Sequence, residues 1–171
     1  MVLPKVLDNM DGSGSLTVIP LPFASFEQTV TNSTTMTTGI TYTVKPVAGT
    51  GPNNIWNSIS VSGGITIDNN GTITFTQPGR YLAMFQGSIG GSIEPGRVRY
   101  QLLKIGAATN QFWIYAHHDI PIAGSTRTHD TGVYQVAAGD TFQLNVLVED
   151  TWQLSYQAMI VYNRLVIYMI G

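Results

Sequence analysis

No cysteine occurs in the 171 residues, which removes disulfides, thiolate nucleophiles and cysteine-ligated zinc together. Charge is scarce as well: Asp, Glu, Lys and Arg make up 11% of the chain, less than half of the usual share of about 25%. Eight Lys and Arg stand against ten Asp and Glu, for a net charge of −2. No basic stripe is available to neutralise phosphates, so nucleic acid is not an expected partner. Helical periodicity is missing too, since nowhere do apolar residues recur at three- and four-residue spacing between capping residues. No apolar run approaches the ~20 residues of a transmembrane helix; the closest, Leu165 to Ile170, has the length of a strand. The first nine residues carry no cationic stretch leading into an apolar leader. With Met1 as the start, the expectation is a chain made in a cytoplasm, neither exported nor anchored in a membrane.

What the chain does have is 43% hydrophobic residues, 18 Gly and 8 Pro, with Thr, Ser, Asn and Gln supplying most of its polarity. This length fits one domain able to bury a core. Alternation recurs along it, and the predicted strands are Leu16 to Phe23, Ile40 to Val47, Ile59 to Ile67, Thr72 to Phe75, Arg80 to Gln86, Val98 to Ile105, Phe112 to Ala116, Thr131 to Val136, Thr141 to Val148 and Arg164 to Ile170. Gly, Asn and Pro fill the connections, as strand connections require. About ten short strands spaced in this way argue an all-β sandwich.

Two segments share one grammar. Gly71 to Phe85 reads as a strand, a turn at Pro78-Gly79 and a second strand, and Gly132 to Val146 repeats this around Gly139-Asp140. Pro78 fixes φ for a turn and glycine tolerates a positive φ, so both segments are expected to be hairpins.

Ahead of the sandwich, predicted over residues 16–171, residues 1–15 read as an N-terminal arm and joint. The lead is apolar (Val2, Leu3, Val6, Leu7) and Asp8 to Ser15 is rich in Gly and Ser. Such a lead is either an arm that docks on a neighbour or a frayed terminus. Thr29 to Thr38 is an exposed edge strand or a loop. The glycosylation patterns at Asn32-Ser33-Thr34 and Asn70-Gly71-Thr72 are what chance gives in a chain so rich in Asn and Thr.

Little points to catalysis. His117-His118-Asp119 with His129-Asp130 is the one cluster with metal-ligand chemistry, but adjacent residues of a strand point to opposite faces, and a polar surface loop is the preferred reading. No nucleophile elbow is present. The Gly-rich stretch from Gly87 to Gly96 lacks the ending of a phosphate loop. No catalytic residue, cofactor or metal is expected. Trp56, Trp113, Trp152, Tyr115 and Tyr156 are core material first; Trp113, Tyr115 and His117 are the candidate ligand surface.

From residue 59 onward the chain resembles the jelly-roll superfamily of tumour necrosis factors and complement globular heads. The matches, in order, are Ile73 and Phe75, Gly79-Arg80-Tyr81, Leu103-Lys104-Ile105-Gly106, Val136-Ala137-Ala138-Gly139-Asp140, and Leu165 to Ile170. The resemblance implies a ten-strand sandwich that forms a threefold-symmetric trimer. Carried over by position, Tyr81, Ala83, Phe85, Leu165, Ile167 and Met169 face the core. Leu82, Met84, Gln86, Val166, Tyr168 and Ile170 face the trimer axis. Both strands are apolar on both faces, which independently calls for a partner surface. No stalk, anchor or cysteine pair is expected, so the signalling of the cytokine branch is not implied.

The expected function is a structural virion protein: a homotrimeric decoration (cement) protein on a bacteriophage head, made in the host cytoplasm and displayed on the virion surface. Its expected partners are its own copies and the major capsid protein, held through Val2, Leu3, Val6 and Leu7. The alternative is a trimeric receptor- or carbohydrate-binding head, such as a fibre tip.

Overall fold

The structure, a computed structural model, describes residues 21–28, 32–36, 39–46, 54–90, 96–120, 125–149 and 156–171. The arm residues Val2, Leu3, Val6 and Leu7, the joint at 8–15 and most of the strand predicted from Leu16 lie outside the described residues, as does Trp152. The described chain is built from strands: β1 (Phe23–Glu27), β2 (Asn32–Met36), β3 (Thr41–Thr43), β4 (Lys45–Pro46), β5 (Asn54–Trp56), β6 (Ser58–Ser62), β7 (Ile65–Ile67), β8 (Thr72–Phe75), β9 (Gly79–Gly90), β10 (Gly96–Lys104), β11 (Phe112–Ile120), β12 (Ser125–Val136), β13 (Thr141–Glu149) and β14 (Tyr156–Met169).

Two six-stranded sheets face each other. Sheet A runs β12-β9-β14-β1-β6, with β2 pairing the first residues of β14, and sheet B runs β11-β10-β13-β8-β7, with β3 pairing β13. All these pairings are antiparallel, and a short parallel pair, β4-β5, stands apart. This is the predicted jelly-roll sandwich. Its strand pattern is finer than expected: the segment from Ile40 to Val47 splits into β3 and β4, and the long strands β9, β11, β12 and β14 run beyond their predicted ends.

Both predicted hairpins are corrected. β8 belongs to sheet B and β9 to sheet A, and likewise β12 belongs to A and β13 to B. Pro78-Gly79 and Gly139-Asp140 are therefore corners where the chain crosses between sheets. The two corners are bonded together, with Gly139 N donating to Phe75 O (2.7 Å) and Phe75 N to Asp140 O (3.0 Å). A turn and two alternating strands read alike for both geometries; which one forms depends on whether the flanking apolar faces pack on each other or lie side by side. The predicted strand from Ile59 to Ile67 also divides at Gly63-Gly64, with φ of 62° and 87°, and there too the chain passes from sheet A to sheet B. Only glycine adopts such a pair of left-handed conformations without strain.

The core lies between the sheets. Tyr81, Ala83 and Phe85 of β9, Leu165 and Ile167 of β14, Val98, Tyr100 and Leu102 of β10, and Phe142, Leu144 and Val146 of β13 are all buried, the period-2 pattern of strands covered on one face. Phe75 anchors an aromatic cluster with ring centroids 5.0 Å from Tyr81, 5.6 Å from Phe142 and 5.9 Å from Trp113. Edge-on and tilted contacts of this kind add about 0.5–1.5 kcal/mol each beyond area burial. Trp56 stacks on Phe26 at 4.8 Å. At one end of sheet A a buried amide pair ties β1 to β14: Asn163 Nδ2 donates to Gln28 Oε1 (3.0 Å) and Gln28 N to Asn163 O (2.8 Å).

Candidate functional site: the outer face of sheet A

Period-2 alternation turns the remaining residues of β9 and β14 outward, and the antiparallel register lines them up with those of β12 and β1. One row runs Val133, Leu82, Tyr168, Phe23 across four strands, and the next runs Thr131, Met84, Val166, Ser25. A third row, His129, Gln86, Arg164, Glu27, is polar throughout. Val133 is 50% exposed, Met84 38% and Phe23 37%, while Leu82, Val166 and Tyr168 are half-buried among them. Every predicted axis residue (Leu82, Met84, Gln86, Val166, Tyr168, Ile170) thus lies on the outward side, and Tyr81, Ala83, Phe85, Leu165, Ile167 and Met169 on the inward side. Phe23 and Val133 were missed. Their membership follows from register with Tyr168 and Leu82, and a single strand read in isolation carries no such signal.

The face ends in a backbone clamp. Ile170 N donates to Arg80 O (2.8 Å) and Arg80 N to Gly171 O (2.5 Å), which holds the last residues against the start of β9.

The predicted ligand surface is divided. Tyr115 and His117 do lie together on the outer face of sheet B, ring centroids 4.8 Å apart, with Tyr115 41% exposed. The Arg99 guanidinium lies over Tyr115, 5.2 Å from the ring centroid, and pairs with Glu149. Trp113 is not part of that surface: it is 6% exposed, and its Nε1 donates to Gly132 O (2.8 Å). The cause is a register shift in the β10–β11 pairing, where Leu102 faces Ile114 but Leu103 faces Phe112. Trp113 is the extra residue of this bulge, and a bulge re-aims the side chain it carries.

The histidine cluster is likewise taken apart. His118 is in register with Val98 in sheet B and His129 with Gln86 in sheet A. The Asp130 carboxylate accepts the backbone N–H of Tyr115 (3.0 Å) and of Thr131 (2.8 Å). Among the described residues no three His, Cys, Asp or Glu side chains come together as a metal site. Asp130 and Gly132 instead close one flank of the sandwich by joining β12 to β11.

No family model matches the chain, and no curated protein does. Solved structures do match. The globular domain of zebrafish complement 1qA protein superposes with a TM-score of 0.60 at 15% identity, covering 89% of this chain and 98% of that one. The Eiger tumour necrosis factor of S. frugiperda gives 0.57 at 11% identity, covering 89% and 94%. Murine APRIL gives 0.58 at 10% identity, covering 88% and 100%. The fold is the tumour-necrosis-factor-like jelly roll. At these identities the likeness is one of fold, and function has to be argued from the faces described above.

Proposed function

We propose that this chain is the head domain of a homotrimer, assembled through the outer face of sheet A and serving as a structural, non-enzymatic component of a virus particle. The observation that carries the trimer is the apolar row Val133, Leu82, Tyr168, Phe23, backed by Met84 and Val166. A contiguous apolar area on the middle strands of a sheet is costly in water and is covered in a stable assembly. The jelly roll shared with the complement and tumour-necrosis-factor structures fits a trimeric head.

The finer reading is a bacteriophage decoration protein on the virion surface, with the major capsid protein as its partner and Val2, Leu3, Val6 and Leu7 as the docking arm. It is supported by the low charge, the apolar lead and the lack of an enzyme motif, and by the symmetry match between a trimer and a threefold site on a shell. Sedimentation equilibrium tests the trimer, and binding of the purified protein to undecorated heads tests the docking. The second reading, a ligand-binding head, is favoured by the exposed Tyr115–His117 pair and predicts that a glycan or receptor ligand is lost with Tyr115→Ala.

A further inference from the structure

β6 is the last strand of sheet A at the flank opposite β12, and among the described residues no strand pairs with its other side. Sheet edges are normally guarded by charge, proline or a bulge. β6 has none of these: its sequence is Ser-Ile-Ser-Val-Ser. Its serines continue the outward rows, Ser62 beside Phe23 and Ser60 beside Ser25. Ile59 and Val61 are in register with Phe26 and Ala24, so they belong to the core-facing side. Phe26 and Ala24 are fully buried, yet Ile59 stays 37% and Val61 39% exposed. Among the described residues the sandwich is open along this flank, and two β-branched residues of its inner layer look out of it.

The segment also reads nearly the same in both directions about Ser60. We propose that β6 is a second self-association surface, where Ser58–Ser62 of one copy pairs antiparallel with the same segment of another about a twofold axis through Ser60. In that register Ser60 faces Ser60 of the second copy, and Ile59 faces Val61. The inner row becomes Phe26, Ile59, then Val61 and Ala24 of the second copy, which covers the two exposed side chains in each copy. The charges are compatible. The nearest, Glu27, lies beside Ser58, and its row continues through Ser62 to Phe23 of the second copy, so no two carboxylates meet. Such a contact is isologous and self-limiting for one pair of edges. It adds main-chain hydrogen bonds as well as apolar cover. It uses the open flank and not the apolar rows at the centre of sheet A, so it does not depend on the trimer.

The absence of cysteine makes the test clean. Ser60→Cys places the only thiol of each chain opposite its twin, at the Cα separation of directly opposed strand residues, which a disulfide spans. The full-length variant is oxidised mildly and run on non-reducing denaturing gels, with Thr66→Cys, an exposed position on β7, as the control. The expected result is a two-chain band for Ser60→Cys well above the control, lost when Val61→Lys is added because lysines would then be buried in the joint. Circular dichroism and melting show whether the double variant is folded, which the exposure of Val61 leads us to expect. Each chain has one thiol, so the band is two chains whether the parent is a monomer or a trimer, and failure of the trimer reading appears in sedimentation and not on this gel. The rival occupant of this edge is the lead of the same chain, residues 1–20. No band above the control, or a band that emerges only when residues 1–20 are deleted, overturns the proposal.

Discussion

Lys104 Nζ donates to Asp140 Oδ2 at 2.8 Å, joining two residues 36 positions apart in the chain. The same carboxylate oxygen accepts Ala137 N–H (3.0 Å), while Asp140 O accepts from Phe75 N. One aspartate therefore shapes the β12–β13 corner, binds it to the end of β8 and ties it to the end of β10. Lys104 and Asp140 lie in two separate stretches of the superfamily resemblance, and the fold makes them a single interaction.

Removing the lysine with Lys104→Met should cost about 0.5–1 kcal/mol, as a partly exposed pair does. Asp140→Ala should cost more, about 1–2 kcal/mol, because Ala137 N–H loses its acceptor too. The hydrogen bond to Asp140 raises the Lys104 pKa above its ordinary 10.5. A raised lysine pKa means the folded state holds the proton more tightly, so the contribution is whole below about pH 10.5 and fades as the pH climbs through the higher folded value. Urea midpoints measured at neutral and strongly alkaline pH should converge for wild type and Lys104→Met at the alkaline end. An unchanged gap would show that the pair contributes no charge-dependent stability.

Gly132→Ala should destabilise the closed flank. A Cβ at this position would sit 2.5 Å from the Trp113 carbonyl oxygen, and backbone that close cannot yield cheaply; overpacking of this kind costs about 1–3 kcal/mol. Hydrogen exchange should then accelerate in β11 and β12 before the rest of the sandwich. Exchange and melting equal to wild type would mean that the two edges are less closely joined than described.

Met84→Asp or Tyr168→Asp should dissociate the trimer while leaving a folded monomer, since each buries an unpaired carboxylate in the assembly but stands on an outward position of the single chain. Sedimentation equilibrium reads this directly. A wild-type monomer at micromolar concentration would refute the assembly outright.

On the proposed decoration role, deleting residues 1–12 should leave trimer melting nearly unchanged and abolish attachment to undecorated heads. A short apolar lead cannot by itself offset roughly 1–2 kcal/mol of backbone entropy per residue, whereas a neighbouring sheet edge supplies main-chain bonds and side-chain pockets. Full occupancy of heads by the truncated protein would remove the arm from the account.

The sequence by itself determined the all-β class and, with the resemblance, the inward or outward sense of β9 and β14. Those are local properties: Tyr81, Ala83 and Phe85 alternate with Leu82, Met84 and Gln86, and a period of two assigns each set to one face. Tertiary structure alone decided what the turns join and which side chains meet. Pro78-Gly79 and Gly139-Asp140 look like hairpin turns, but Phe75 packs on Tyr81 and Phe142 on Tyr134 across the core, so burying the apolar faces against each other carries the chain from one sheet to the other. Trp113 shares its parity with Tyr115 and His117, and only the bulge opposite Leu102 and Leu103 turns it inward. Phe23 and Val133 join the outer apolar rows through register with distant strands. Register depends on the pairing of segments far apart in the chain, and no local pattern encodes that pairing.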